Sequence, residues 1–370
     1  MKKLYVITLL ISLMFFNSCS NSENKSIKIG LIAGLSGKYS ELGNDVLRGV
    51  TLALEEVDSK INNIPVELII KDDKQDSNIA LNEIKNLLDT NTSLIIGNTT
   101  SSMTKVSLKE IKDKKDILLI SPTASSDIFS NLDDNFLRTQ VAYNPSRFDM
   151  FSDYLIKNKL LNIAFIYDEN NLTYSNTYMD NFELSLKQKE VQPLVVKMKI
   201  TEDYSHIKEK LDSIKPDLVV VIANSIDSSK LIQYLRINDN KGLILCSAWA
   251  KTADFIENGG KYVEDVFFIT DYDDASLDKD FLEFVKKYKE RYSDSPSLFS
   301  SQAYETVKII IESLKINPEI KSLKNTILNK KVFNGLQGKI YFNKFGDIKR
   351  DVFIMSIKNN HFIKKSLENF

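Results

Sequence analysis

Two short hydroxyl-rich stretches offer the clearest chemistry in the sequence. Ser101 and Ser102 follow the apolar run Leu94 to Ile96 and open a segment of helical spacing, while Thr123, Ala124 and Ser125 follow a second run, Ile117 to Ile120. Residues just beyond a strand and at the start of a helix combine hydroxyls with free backbone N–H groups at the positive end of a helix dipole, a setting that holds a carboxylate. Ser and Thr are also favoured helix N-caps, and the two roles are compatible. Trp249, the only tryptophan, follows the run Leu243 to Cys246, where it serves either as core or as an aromatic wall. Cys19 and Cys246 form no CxxC motif, and His206 and His361 lie far apart, so a zinc site has too few ligands. Neither a GxSxG elbow nor a dinucleotide or phosphate loop occurs, so no cofactor, no catalytic residue and no enzymatic activity is expected.

The chain has 370 residues, 43% hydrophobic and 27% charged, which is a globular composition long enough for two domains. Lys and Arg total 49 against 50 Asp and Glu, a net charge of −1, so the strong positive field that nucleic-acid binding needs is missing.

At the N-terminus, Lys2 and Lys3 precede Leu4 to Phe16, an uncharged apolar run too short for the roughly 20 residues that a spanning helix requires. The run ends in Phe16-Asn17-Ser18-Cys19, which resembles a lipobox, so residues 1–18 are expected to be a lipoprotein signal peptide. Cys19 is then the lipidated N-terminus, and the polar residues 19–26 are a tether. Cys246 is left without an intramolecular partner and is expected to pack as a small hydrophobe.

From Ile27 onward, short β-branched runs alternate with amphipathic helical stretches. The strands read as Ile27 to Ile32, Val66 to Lys71, Leu94 to Ile96 and Ile117 to Ile120, with helices from Val46 to Val57, Ser77 to Leu88 and Ser101 to Lys112 between them. A second series begins after Asn144-Pro145, with strands at Asn162 to Tyr167, Leu194 to Ile200, Asp217 to Ala223, Leu243 to Cys246 and Val266 to Ile269. Such alternation predicts α/β architecture, with two doubly wound parallel sheets along the chain. Helices at 278–291, 299–315 and 320–329 come without interleaved strands, and strand-like Lys339 to Phe342, Val352 to Ile357 and Phe362 to Lys364 follow.

Several motifs carry a resemblance. Ile29 to Gly37, then Gly43 and Arg48 to Val57, resemble the opening of the leucine/isoleucine/valine-binding family of periplasmic solute-binding proteins. So do Asp72-Asp73, Ile95-Ile96-Gly97 with Ser101-Ser102, Ile120 to Ser125, Gln302 to Thr306, and Gly338 to Asn343 with Gly346-Asp347. The resemblance implies a type I periplasmic binding protein fold: two Rossmann-like lobes joined by three crossing segments and closing over a small ligand. Carried over, lobe 1 comprises 27–140 and 275–332, and lobe 2 comprises 141–274 and 333–370. The crossings fall near Arg138 to Arg147, Phe268 to Ala275 and Lys331 to Gly338.

It further implies that Ser101, the backbone of Thr123 and the hydroxyl of Ser125 match positions gripping an amino-acid ligand. Tyr174 matches a cleft tyrosine, and Asn224 and Ser225 end a strand where the family again contacts ligand. Amino-acid binders of this family place a carboxylate in the loop that here reads Ser247-Ala248-Trp249-Ala250, which has none. Either Asp271 or Asp273 substitutes, or the ligand is not an α-amino acid. Tyr39 is expected as a further aromatic face or an exposed turn residue. The implied role is that of a monomeric lipoprotein, anchored on the extracytoplasmic side of a bacterial membrane, that delivers a small carboxylate-bearing solute to the membrane subunits of an ABC importer. The alternative is a sensing lobe that works with a separate membrane partner.

Overall fold

The computed structural model describes residues 26–366. The expected signal segment and Cys19 lie outside them, and among the described residues no helix is long and apolar enough to cross a membrane.

The first half of the chain runs β1 (Ile27–Ala33), α1 (Ser40–Glu55), β2 (Lys60–Ile61), β3 (Ile64–Asp72), α2 (Ser77–Asp89), β4 (Leu94–Gly97), α3 (Ser101–Ile111), β5 (Leu118–Ser121) and β6 (Phe136–Arg138). Apart from the antiparallel β2, these strands form a parallel sheet in the order β3-β1-β4-β5-β6. The central strands β4 and β5 are buried along their whole length because helices cover both faces, which is why their sequences are apolar without alternation.

The second half repeats the plan with α4 (Asp149–Asn158), β7 (Asn162–Tyr167), α5 (Leu172–Gln188), β8 (Leu194–Lys199), α6 (Tyr204–Ile214), β9 (Leu218–Ile222), α7 (Ser225–Ile237), β10 (Leu243–Cys246), α8 (Ala253–Gly259) and β11 (Phe267–Thr270). Its parallel strands lie in the equivalent order β8-β7-β9-β10-β11. In both sheets the first strand separates the second from the third, so each has a switch point where loops at the carboxyl ends diverge and leave a crevice.

Helices α9 (Lys279–Tyr292), α10 (Leu298–Ile316) and α11 (Leu323–Lys330) complete the first half. Helix α10 crosses α1 so closely that a Cβ on Gly49 would stand 2.1 Å from the Ser300 carbonyl oxygen, and only glycine fits there. Arg291 pairs with Glu55 at 2.9 Å, and the Tyr304 hydroxyl donates to Glu56 at 2.7 Å, tying the late helices to the early one.

The return to the second half comes later than the sequence suggests. Residues expected to cross near 331–338 instead form β12 (Val332–Gly335), β13 (Gly338–Phe342) and β14 (Ile348–Lys349), a separate antiparallel sheet. This sheet is held to the end of β6: the Arg138 amide donates to the Gly346 carbonyl, and the buried Arg138 guanidinium pairs with Asp347 at 2.5 Å. Only β15 (Phe353–Lys358) and β16 (His361–Lys364) join the second sheet, antiparallel at the β11 edge. The chain therefore passes between its halves at 139–148, 271–278 and 350–352.

Candidate functional site

The carboxyl ends of the two sheets face each other across a narrow space. About 30 Å³ of it admits the centre of a water molecule, so the lobes stand close together over a narrow cavity that is still partly open to solvent.

On the first-lobe side, β4 ends at Gly97, whose φ of +121° and whose closeness to the Ile32 carbonyl admit no side chain. The chain can then turn through buried Asn98, held by Asp73 at 2.8 Å, and bring Thr99, Thr100 and Ser101 to the wall. Thr100 caps α3, its hydroxyl accepting from the Met103 amide and donating to Gln75. Ser101 is thus relieved of capping. Its hydroxyl accepts from the Ser126 amide at 3.2 Å and keeps its own proton. From the turn after β5 come Thr123 and Ser125. The Thr123 hydroxyl donates to the Thr99 carbonyl at 2.6 Å, while the Ser125 hydroxyl, on a residue 3% exposed, has no partner among the described residues.

The second lobe contributes Asn171, Tyr174, Ala248 and Trp249. The Trp249 ring stacks on Tyr39 with centroids 5.9 Å apart and meets Tyr174 edge-on at 5.8 Å, so it serves as wall and core together. Burial raises the Tyr174 phenol well above its usual range, so it stays protonated. The first crossing supplies Gln140 and Tyr143, and Leu42 and Phe299 close the apolar side.

The remaining expected residues lie elsewhere, each for a local reason. Ala124 is fully buried in the core beneath the sheet with Ile95 and Leu119. Ser102 joins the lobes: its amide donates to Asn171 at 3.1 Å, and its hydroxyl accepts from the Thr173 amide at 3.2 Å. Asn224 is the N-cap of α7, its side chain accepting from the Asp227 amide at 2.9 Å, and Ser225 bonds Glu41 across the cleft. Asp271 is 4% exposed and paired with Arg147 at 2.8 Å. Asp273 accepts from the Ala275 amide in its own turn. Tyr39 donates to Asp168 of the other lobe at 2.8 Å and accepts from Asn170; burial and the Asp168 carboxylate push its phenol up. Gln140, Tyr143, Asn171 and Phe299 were not legible as wall residues, because a crossing segment and a helix start from distant sequence converge only in the fold. Cys246 is free, buried and inert, its thiol pushed up by burial.

Comparison with known proteins agrees with this architecture. Residues 26–361 match the family model described as periplasmic binding protein. The chain is 24% identical over 314 residues to Leu/Ile/Val-binding protein homolog 7 of Brucella abortus, covering 78% of this chain and 76% of that one. Among solved structures, it resembles a leucine-binding protein of Thermotoga maritima with a TM-score of 0.83 at 21% identity, covering 92% of this chain and 98% of that one. A solute-binding protein of R. palustris in complex with benzoate also scores 0.83, at 17% identity over 92% and 95% of the two chains.

Beside the narrow space a second cleft between the lobes collects carboxylates: Glu41, Asp45, Asp254 and Asp294, with Lys38 and Arg48. Lys38 pairs with Asp227 at 2.6 Å and Arg48 with Asp294 at 3.0 Å, which offsets only part of the negative charge. Burial raises the Glu41 carboxyl above its ordinary value. Burial, with smaller contributions from Glu41 and Asp294, lifts Asp45 to about 7. The folded form therefore holds a proton on Asp45 that the unfolded chain releases near pH 4, so this stabilisation is full below about pH 4 and is lost as pH rises through about 7. Asp45→Asn is expected to raise the Tm at about pH 8, leave it nearly unchanged at about pH 4, and flatten the profile between. Thermal unfolding followed by circular dichroism across that range checks this; a parallel shift at every pH would assign Asp45 no titrating role.

Proposed function

The chain belongs to the periplasmic binding protein family, and on that premise we propose that it is an extracytoplasmic, lipid-anchored monomer. In this reading it holds a small carboxylate-bearing solute between its lobes and presents it to the membrane subunits of an ABC importer. The observation that carries it is the position of the unpartnered Ser125 hydroxyl, beside the start of α3, across the space between the lobes from Trp249. Ser101, Thr123 and Ser125 form the polar side of the proposed contact, with Tyr174 and Trp249 as the aromatic side. A carboxylate at the start of a helix gains from the dipole and from short charge-assisted hydrogen bonds, while the solute's apolar portion buries area against the rings. The leucine named for one structural relative and the benzoate bound to another support a small acid with an apolar body.

Closure follows from the same contacts. The lobes are bridged by Ser102 to Asn171, Tyr39 to Asp168 and Ser126 to Thr177, the last at 2.7 Å. A solute touching both walls adds affinity only in the closed state, which makes the closed form the carrier's loaded signal. The expected lipid on Cys19 keeps that carrier beside its importer, and the polar residues after it give reach.

Removing a hydrogen bond to a charged group costs about 1.5–3 kcal/mol, so Ser125→Ala is expected to weaken binding by about one to two decades. Calorimetry with a panel of leucine, isoleucine, valine and benzoate measures it; undiminished affinity would move the carboxylate away from this turn. Trp249→Ala is expected to weaken bulky solutes more than small ones, and equal losses would make its role packing alone. For the anchor, Cys19→Ala should shift the protein from the membrane to the soluble fraction, and a variant that stays membrane-bound would rule out lipidation at Cys19.

A further inference from the structure

The hydrogen-bonding inventory of the cavity wall points to a narrower solute class than acids in general, and the inference rests on the binding role proposed above. None of the lining residues carries a charge. Among the described residues, the amides of Ser101 and Ser125 and the Ser125 hydroxyl have no acceptor, although both residues are at least nine-tenths buried. Asn171 turns its Oδ1 to the Ser102 amide, which can only donate, so its Nδ2 group is left to the cavity. Gln140 pairs reciprocally with Gln302, its Oε1 accepting from the Val141 amide at 2.7 Å and from Gln302 at 3.1 Å while its Nε2 donates to Gln302 at 3.3 Å, which leaves one N–H of that group. Trp249 brings an indole N–H with no partner among the described residues.

Three carbonyls at the same wall already accept a hydrogen bond, whereas that of Thr123 receives none among the described residues. The Ser125 carbonyl takes the Tyr143 amide at 2.9 Å, the Thr99 carbonyl takes the Thr123 hydroxyl, and the Thr100 carbonyl takes the Thr104 amide and hydroxyl. Asp271, buried where the first two crossings meet, is neutralised by Arg147, and its second oxygen faces Gln302, which stands between it and Gln140. The Arg147 guanidinium in turn lies over the Tyr143 ring at 4.6 Å. A cavity with several spare donors, fewer free acceptors and no acid on its wall satisfies a carboxylate and gives a buried ammonium no counter-charge, which is costly.

We propose that the cavity selects a monocarboxylic acid that carries no amino group, its aliphatic or aromatic body lying against Trp249 and Tyr174. The test is calorimetry on the full chain with matched pairs that differ only in the α-amino group: 3-phenylpropanoate against phenylalanine, and 4-methylpentanoate against leucine, with the amide of each acid as a third arm. The acids are expected to bind at least about tenfold more tightly than the amino acids, and the neutral amides more weakly than the acids. Amino acids binding as tightly as their acids would overturn this inference and leave the carboxylate reading intact. Amides binding as well as acids, or no acid binding at millimolar concentration, would overturn the carboxylate reading itself.

Discussion

Closing one half of a chain over the other buries backbone and side-chain polar groups that water had satisfied, and each must find a new partner or cost free energy. The crevice at the two switch points concentrates this demand, because strand ends and helix starts bring free N–H groups there in numbers. Part of it is met across the gap: the Ser102 amide reaches Asn171, the Thr173 amide reaches Ser102, and Asp127 accepts from Thr177 and Asn181 at 2.8 Å each. Another part, at Ser101 and Ser125 among others, stays unmet and lies at the space between the lobes. What the closed structure leaves unsatisfied is what a solute must supply.

Charge is kept out of that space and placed in the joints around it. Arg147 with Asp271 lies where the first two crossings meet, Arg138 with Asp347 fastens the small sheet to β6, and Arg350 with Glu305 holds the third crossing to α10. Breaking one partner of such a pair strands a buried charge, so these joints are rigid elements on which two lobes can swing. The carboxylates of the neighbouring cleft act in the opposite sense: Glu41 and Asp45 lie one turn apart on α1 and meet Asp254 of the other lobe only when the lobes close, so a proton on Glu41 eases the approach.

Much of this was legible in the sequence because parallel strands buried on both faces leave unmistakable apolar runs. The runs at Asn162–Tyr167 and Leu243–Cys246 became strands with the expected ends. The three-residue β6 and the two-residue β14 are too short to show a period, and the alternation of Gly338–Phe342 does not say which sheet it joins. At the site, position after a strand was informative for Ser101, Thr123, Ser125, Tyr174 and Trp249, all of which line the cavity. The same rule failed for Asn224, where a strong local capping bond to Asp227 took the side chain, and Asp271, offered as the substitute acid, has its carboxylate captured by an arginine 124 residues away. Long-range pairing of that kind has no local signature.

Because Trp249 is the only tryptophan in the chain, its emission reports on one wall of one cavity. Titrating the full-length protein with a solute that calorimetry shows to bind is the most direct test that the space between the lobes is the binding site. The account predicts a saturable change in Trp249 emission and reduced quenching by acrylamide, with the same midpoint as the calorimetric curve. A solute that binds by calorimetry yet leaves both the emission and the quenching of Trp249 unchanged would be held elsewhere and would contradict it.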